Sequence, residues 1–293
     1  MKKQQTLFIV NPIAGVRKKD DVKSLIKKYL DHQLFDYEIK LTEYAGHGSE
    51  IASNNKNRYD IIVAVGGDGT INEIAKKLIY SNTSLGIIPL GSGNGLARHL
   101  KIPLTLPLAI KRLNNLNFQK IDVGTFNEIP FLCTAGLGFE ADVSFTFSTQ
   151  PSRGWTTYIS SALKTIKYYT PLKASFAFDE QFLELDNTFT ITFANASQYG
   201  NNAIISPNSI IDDGLIDICI IKKFPLWKSQ LIGLKMFSGK IDQSIYYQSF
   251  KTKKVSITTE KSELNAHIDG DPLKLNSSNI KVGILPKSLI VLT

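Results

Sequence analysis

Five consecutive residues, Gly66-Gly67-Asp68-Gly69-Thr70, hold the densest chemistry in the chain. Glycines in a turn let backbone N–H groups approach a ligand closely, and a helix N-terminus behind them adds donors and partial positive charge, so an anion is the expected guest. Phosphate is the leading candidate. Within such a loop the Asp68 carboxylate would repel a bare phosphate, yet it suits Mg²⁺ carried on a nucleotide, or a sugar hydroxyl. The plainer reading is an ordinary strand-to-helix turn capped by Thr70.

The flanking residues supply the elements such a loop needs. Ile61 to Val65 is an apolar, largely β-branched run that reads as a buried strand, and Ile71 to Leu78 has helical spacing. The same order recurs on both sides. Thr6 to Val10 is a strand leading into Asn11-Pro12-Ile13-Ala14-Gly15, followed by an amphipathic helix over Asp20 to Asp31. Leu85 to Leu90 leads into Gly91-Ser92-Gly93-Asn94-Gly95 and a helical turn over Leu96 to Leu100. Tyr37 to Thr42 and Gly48 to Asn57 add a strand and a short helix, and Leu106 to Leu113 a further helix. This alternation predicts a parallel sheet covered by helices, with three loops along its carboxyl edge, where open α/β sheets bind ligands.

From Gln119 onward strands dominate: Gln119 to Thr125, Phe131 to Ala135, Leu172 to Phe178, Phe189 to Ala194, Leu215 to Ile221, Val255 to Thr259, Leu264 to Ile268, Ile280 to Leu285 and Leu289 to Leu292. Many alternate apolar with polar residues, which predicts a β-rich, sandwich-like second domain interrupted by helices at Thr156 to Tyr168 and Leu226 to Phe237. The expected division is 1–126 and 127–293, with the last strand able to return to the first domain.

Composition narrows the partners. The 293 residues carry a formal charge of +8 and only two cysteines, Cys133 and Cys219, each inside an apolar run. Buried thiols in a reducing compartment account for both. The four histidines are isolated from one another, so a transition-metal site is not expected. Basic residues are scattered without interleaved aromatics, which leaves nucleic acid as the weakest partner class, behind phosphorylated ligands and anionic membranes. The apolar run Leu7 to Val10 ends at Asn11-Pro12, too short for a signal peptide, and no run is long enough to span a bilayer; a cytoplasmic protein is expected. The segment Phe224 to Lys240 mixes large apolar residues with Lys228, Lys235 and Lys240, behind Lys222 and Lys223. It suits a membrane interface, or a helix packed on a sheet.

Taken together, the three loop motifs, in this order with Glu73 after the second and Leu96-Ala97-Arg98 after the third, resemble the diacylglycerol and sphingosine kinase family of lipid kinases. Near the C-terminus, Ile268-Asp269-Gly270-Asp271 is similar to the family's Asp-Gly-Glu motif, with Asp271 in place of the Glu. The resemblance covers nearly the whole chain. It implies an α/β nucleotide-binding domain, a larger β-rich domain for the lipid, and an active site in the interdomain cleft that uses ATP and Mg²⁺. By this likeness Asn11, Gly66, Gly67, Asp68, Gly69, Thr70, Glu73, Ser92, Gly93, Asn94 and Arg153 bind the nucleotide. Asp269 is implied as the base that takes a proton from the lipid hydroxyl; the alternative is a plain Asp-Gly turn.

Asp122 and Asp271 are implied Mg²⁺ ligands, and Asp213, with the carbonyls of Ile210 and Leu215, a structural Mg²⁺ site. The family's head-group aspartate falls at Ser144, and Glu140 or Asp142 is the candidate to take its place toward the substrate. Gly95 is more similar to the sphingosine kinase version of the third motif, whereas Ser144 stands where those enzymes carry a second aspartate, so the lipid stays open among diacylglycerol, sphingoid bases and other long-chain alcohols. Peripheral association with a membrane follows, and a homodimer is left open. Rival readings are a NAD kinase, which shares Gly-Gly-Asp-Gly-Thr but lacks the Gly-Ser-Gly-Asn-Gly-Leu-Ala-Arg stretch, and a non-catalytic nucleotide- or lipid-binding protein of the same fold.

Overall fold

The computed structural model describes residues 2–15, 19–150 and 155–293. The chain divides into two units, Met1–Ile121 with Lys287–Thr293, and Asp122–Pro286.

In the first unit, strands Gln4–Val10 (β1), Phe35–Leu41 (β2), Ile61–Gly66 (β3) and Ser84–Pro89 (β4) alternate with helices Lys19–Tyr29 (α1), His47–Asn55 (α2), Asp68–Leu78 (α3), Gly95–His99 (α4) and Leu106–Leu113 (α5). The strands are parallel in the order β2-β1-β3-β4, and Val291 and Leu292 extend the sheet in parallel beside Leu85 and Gly86. Every residue of β3 and β4 is buried, as expected of parallel strands covered on both faces. Phe8, Val10, Val63, Val65 and Ile88 pack against Val22, Ile26 and Leu30 of the α1 region and Leu106, Ile110 and Leu113 of α5 in one apolar core. Alternate residues Leu7, Ile9, Ile62 and Ala64 point to the opposite sheet face, and α3 buries Ile71, Ile74, Ala75 and Leu78. Burial of each such valine, leucine, isoleucine or phenylalanine side chain is worth roughly 1.5–3 kcal/mol.

The second unit begins within Phe118–Phe126 (β5) and continues with Ile129–Phe131 (β6), Thr134–Gly138 (β7), helices Phe139–Ser148 (α6) and Trp155–Thr165 (α7), and strands Leu172–Phe178 (β8), Gln181–Ala194 (β9) and Ile216–Lys222 (β10). A 3-10 turn and helix Ser229–Phe237 (α8) lead to Tyr247–Thr252 (β11), Lys254–Thr259 (β12), Glu263–Ile268 (β13), Asp271–Asn276 (β14) and Asn279–Leu292 (β15). The pairs β5–β6, β7–β9, β7–β13, β8–β9, β8–β12, β9–β10, β10–β11, β12–β15 and β13–β14 are antiparallel. The long β9 belongs to two strand sets: its second half lies between β7 and β10, and its first half pairs with β8, which continues to β12 and β15. Phe126, Leu137, Phe176, Phe193, Ile218, Val255, Ile257 and Val282 from both sets close on one apolar core.

No helix among the described residues is long and apolar enough to cross a membrane. The helix α6 and the strands β11 and β14 have no counterpart in the periodicity reading above. Residues 280–285 and 289–292, read as two strands, form one continuous strand.

Candidate nucleotide and proton-transfer residues

Parallel register brings the three loops of the first unit to one edge. Val10 lies beside Val65 and Gly66 beside Pro89, so the chain leaves β1, β3 and β4 at neighbouring points. Asn11 N–H donates to Val65 O at 2.9 Å. Its side-chain Nδ2 donates to Thr70 Oγ1 at 3.0 Å, and Oδ1 accepts Ile13 N–H at 3.1 Å, an Asx turn that fixes the first loop. Gly66 has to be glycine: a Cβ there would lie 2.6 Å from that of Thr70. A Cβ on Gly91 would lie 2.9 Å from Gly67 Cα, so the second and third loops touch backbone to backbone.

The α3 helix starts at Asp68, and the N–H groups of its first turn have no acceptor within the helix. Gly69 is exposed there. The Asp68 carboxylate does not point out as a lone acceptor; Oδ1 takes Gly95 N–H and Oδ2 takes Asn94 N–H, each at 2.8 Å. It therefore clamps the third loop to the second. Asn94 is in the left-handed region at φ 51°, tolerated by asparagine better than by most residues. Its Nδ2 donates to Gly91 O at 2.7 Å, while its buried Oδ1 has no hydrogen-bond partner. Ser92 is exposed on this loop, and Gly93 O accepts Arg98 Nε–H at 3.0 Å. Glu73 faces elsewhere: Oε1 accepts Gly46 N–H at 3.1 Å at the start of α2. Arg153 lies outside the described residues.

In the second unit the β13–β14 hairpin turns on Asp269 and Gly270, with φ of 51° and 88°, the left-handed pair a two-residue turn requires. The Asp269 carboxylate accepts three successive backbone N–H groups, from Leu132 at 2.9 Å, Cys133 at 2.7 Å and Thr134 at 3.2 Å. About four acceptor positions exist on a carboxylate, so most of its capacity holds the bend before β7. Asp271 opens β14 and is exposed. Asp122 is fully buried, with Oδ2 accepting Gly214 N–H at 2.6 Å. Asp213 accepts Leu215 N–H at 3.0 Å and pairs with Lys251 Nζ at 2.8 Å. Among the described residues no three His, Cys, Asp or Glu side chains are arranged to hold a metal ion.

Glu140 and Asp142 lie in the first turn of α6 and both tie it to β13. Asn265 Nδ2 donates to Asp142 Oδ1 at 2.7 Å, and burial pushes the Asp142 carboxyl above the usual carboxylate range despite that bond. Glu140 is buried; it accepts Thr192 Oγ1 at 2.7 Å and the Tyr199 hydroxyl, and meets His267 Nε2 at 3.1 Å. Burial pushes the Tyr199 hydroxyl well up, and the Glu140 charge adds to the effect. Gly136 makes room for this network, since a Cβ there would fall 2.1 Å from Glu140 Oε1. Thr192, Tyr199 and His267 carry no local sequence signal, because they meet only through the pairing of β7 with β9 and β13.

Comparison with known proteins gives these residues a context. Residues 5–126 match the family described as diacylglycerol kinase catalytic domain, and residues 134–293 the YegS C-terminal NAD kinase beta sandwich-like domain. A protein named diacylglycerol kinase from Bacillus subtilis (strain 168) is 27% identical over 281 residues, covering 90% of this chain and 88% of its own. One named "Probable lipid kinase YegS-like" from Pseudomonas aeruginosa is 28% identical over 243 residues, covering 80% and 76%. The fold is that of a diacylglycerol kinase from Bacillus anthracis (TM-score 0.76, 21% identity, covering 100% of this chain and 97% of that one). More distantly it is that of an Archaeoglobus fulgidus NAD kinase solved with ATP (TM-score 0.52, 14% identity, 99% and 93% covered). With one match spanning the β-rich unit and the other holding all three glycine loops, the chain belongs to the diacylglycerol kinase and YegS-like lipid kinase family.

Proposed function

We propose that the protein is an ATP- and Mg²⁺-dependent lipid kinase that phosphorylates the hydroxyl of a diacylglycerol, a sphingoid base or a related long-chain alcohol. The observation that carries the reading is the loop edge of the first unit, where the α3 N-terminus and closely packed glycines are held in one arrangement by the Asp68 clamp. Phosphoryl transfer needs little beyond positioning and charge neutralisation, which aligned N–H groups supply. On this reading Asn11, Gly66, Gly67, Asp68, Gly69, Thr70, Ser92, Gly93 and Asn94 hold and shape the nucleotide site, and Glu73 supports it through α2.

Asp269 takes the proton from the lipid hydroxyl. The hydroxyl oxygen forms a bond to the γ-phosphorus, the bond from that phosphorus to the β,γ-bridging oxygen breaks, and ADP departs with the electron pair. The N–H groups of Leu132, Cys133 and Thr134 fix the carboxylate for that task. Mg²⁺ bound with the nucleotide would neutralise phosphate charge; Asp271, exposed at its strand start, has the solvent access a partly hydrated ion needs, whereas Asp122 is committed to Gly214. Glu140 and Asp142 belong to the acceptor side, with Asp142 the less deeply buried of the two.

An anionic membrane surface is the proposed partner. The α8 segment buries Ile232 alone among its helix residues and exposes Leu226, Trp227, Leu231, Leu234 and Phe237 beside Lys222, Lys223, Lys228, Lys235 and Lys240. Such a pattern rests in a lipid interface with the lysines toward acidic head groups.

The NAD kinase reading draws on the shared fold, and the binding-only reading on the fact that a fold alone does not fix chemistry. Incubation with γ-labelled ATP, Mg²⁺ and either a total lipid extract or NAD separates the three. Label in the organic phase is expected.

A further inference from the structure

The loop from Ser206 to Leu215 is the place where the family likeness implies a structural Mg²⁺ on Asp213 with the carbonyls of Ile210 and Leu215. Its donors do not fit one. Asp213 Oδ1 already accepts Leu215 N–H at 3.0 Å. Asp213 Oδ2 is taken by Lys251 Nζ at 2.8 Å, and the same ammonium lies 3.6 Å from Asp217 Oδ1. A divalent ion on Asp213 would sit against that ammonium, and like charges at such separation repel strongly when partly desolvated.

The position of the lysine is not an accident of one flexible side chain. Lys251 and Asp217 are directly opposite each other across the antiparallel β10–β11 pair, so the strand register delivers the ammonium to the carboxylate. Four further hydrogen bonds tie the loop and its neighbours together within the unit. Asp217, buried, accepts Ser206 Oγ at 3.1 Å through Oδ2; Asp122 Oδ2 accepts Gly214 N–H at 2.6 Å; Ile211 O accepts Asp122 N–H at 2.8 Å; and Ser209 Oγ donates to Asn195 O at 3.1 Å.

We propose that Lys251 is a built-in cation that replaces a divalent ion between Asp213 and Asp217, so that the fold of the β-rich unit is independent of Mg²⁺. The idea does not depend on what the protein phosphorylates, because its readout is stability without nucleotide. Thermal unfolding of the full chain after EDTA treatment is compared with unfolding in excess magnesium chloride. The wild-type midpoint is expected to be the same in both. Lys251→Met leaves two carboxylates facing each other, and its midpoint is expected to fall by roughly several degrees in EDTA and to recover, saturably, in Mg²⁺. Adding Asp213→Asn to that variant is expected to abolish the recovery. A wild-type midpoint that drops in EDTA and is restored by Mg²⁺, with the response lost in Asp213→Asn, would overturn the proposal, as would a folded Lys251→Met protein indifferent to Mg²⁺. Should Lys251→Met fail to fold in either buffer, Lys251→Arg keeps the positive charge and is expected to unfold like the wild type in both; an Mg²⁺ requirement in it would equally refute the idea.

Discussion

Asp68 ties the second glycine loop to the third through its two carboxylate oxygens. A carboxylate inside a glycine loop suggests a partner that carries positive charge, and in the structure the partners are two backbone N–H groups of the next loop. Asp68→Asn would turn an NH₂ toward one of those donors, leaving a partly buried N–H without an acceptor, an effect of roughly 1–3 kcal/mol. Thermal unfolding of that variant is expected to shift down accordingly, and ATP titration to show weaker binding, because the third loop loses its anchor. Asp269→Asn poses a different question, since its carboxylate lies in the other unit. Transfer is expected to fall by about 10²–10⁴-fold, the usual weight of a general base, while ATP affinity stays at the wild-type value. Wild-type turnover in a folded Asp269→Asn protein would leave Asp269 as a turn anchor only.

At the scale of elements, the α/β unit was legible because its signals are local. β-branched runs, glycine loops and helical spacing each occur within a dozen residues, and β1 to β4 with their helices follow them. The second unit hid more. Phe139 to Ser148 forms α6 although Phe139, Val143, Phe145 and Phe147 are poor helix formers and spread apolar surface around the helix, leaving no one-sided stripe to detect. The β8–β9 hairpin turns on Asp179 and Glu180, both at positive φ, where the usual Asn-Gly or Asp-Gly signal is missing. Glu140 finds His267 and Thr192 only through sheet pairing, which no spacing rule reveals.

The segment formed by the 3-10 turn Leu226–Lys228 and α8 could be read from the sequence as a membrane-facing or a sheet-packed element, and its side chains divide unequally between the two. Trp227 is 79% exposed and Leu234 66%, with Ile232 the buried contact. Full-length protein is expected to sediment with phosphatidylcholine vesicles containing phosphatidylglycerol, less so with neutral vesicles, and to be released by high salt, as each lysine near an anionic surface contributes about 1 kcal/mol. Replacing Trp227 and Leu234 by serine is expected to weaken binding by roughly tenfold or more with unfolding unchanged. Equal binding to neutral and anionic vesicles, or none to either, would count against this surface.

For the molecule as a whole, the two units divide the proposed labour. On the proposed reading the first supplies N–H groups for phosphate at a parallel sheet edge, and the second supplies Asp269 as proton acceptor, the acidic residues of α6 and the lysine-flanked α8. Net charge of +8 favours approach to an acidic surface. The fold is shared with an NAD kinase, and one fold can serve different acceptors. The direct measurement is transfer from γ-labelled ATP by the purified full-length chain, with Mg²⁺, offered a total lipid extract and NAD in parallel. Label that moves into the organic phase, and is lost in Asp269→Asn, is the predicted result; label on NAD, or on neither acceptor, would contradict it.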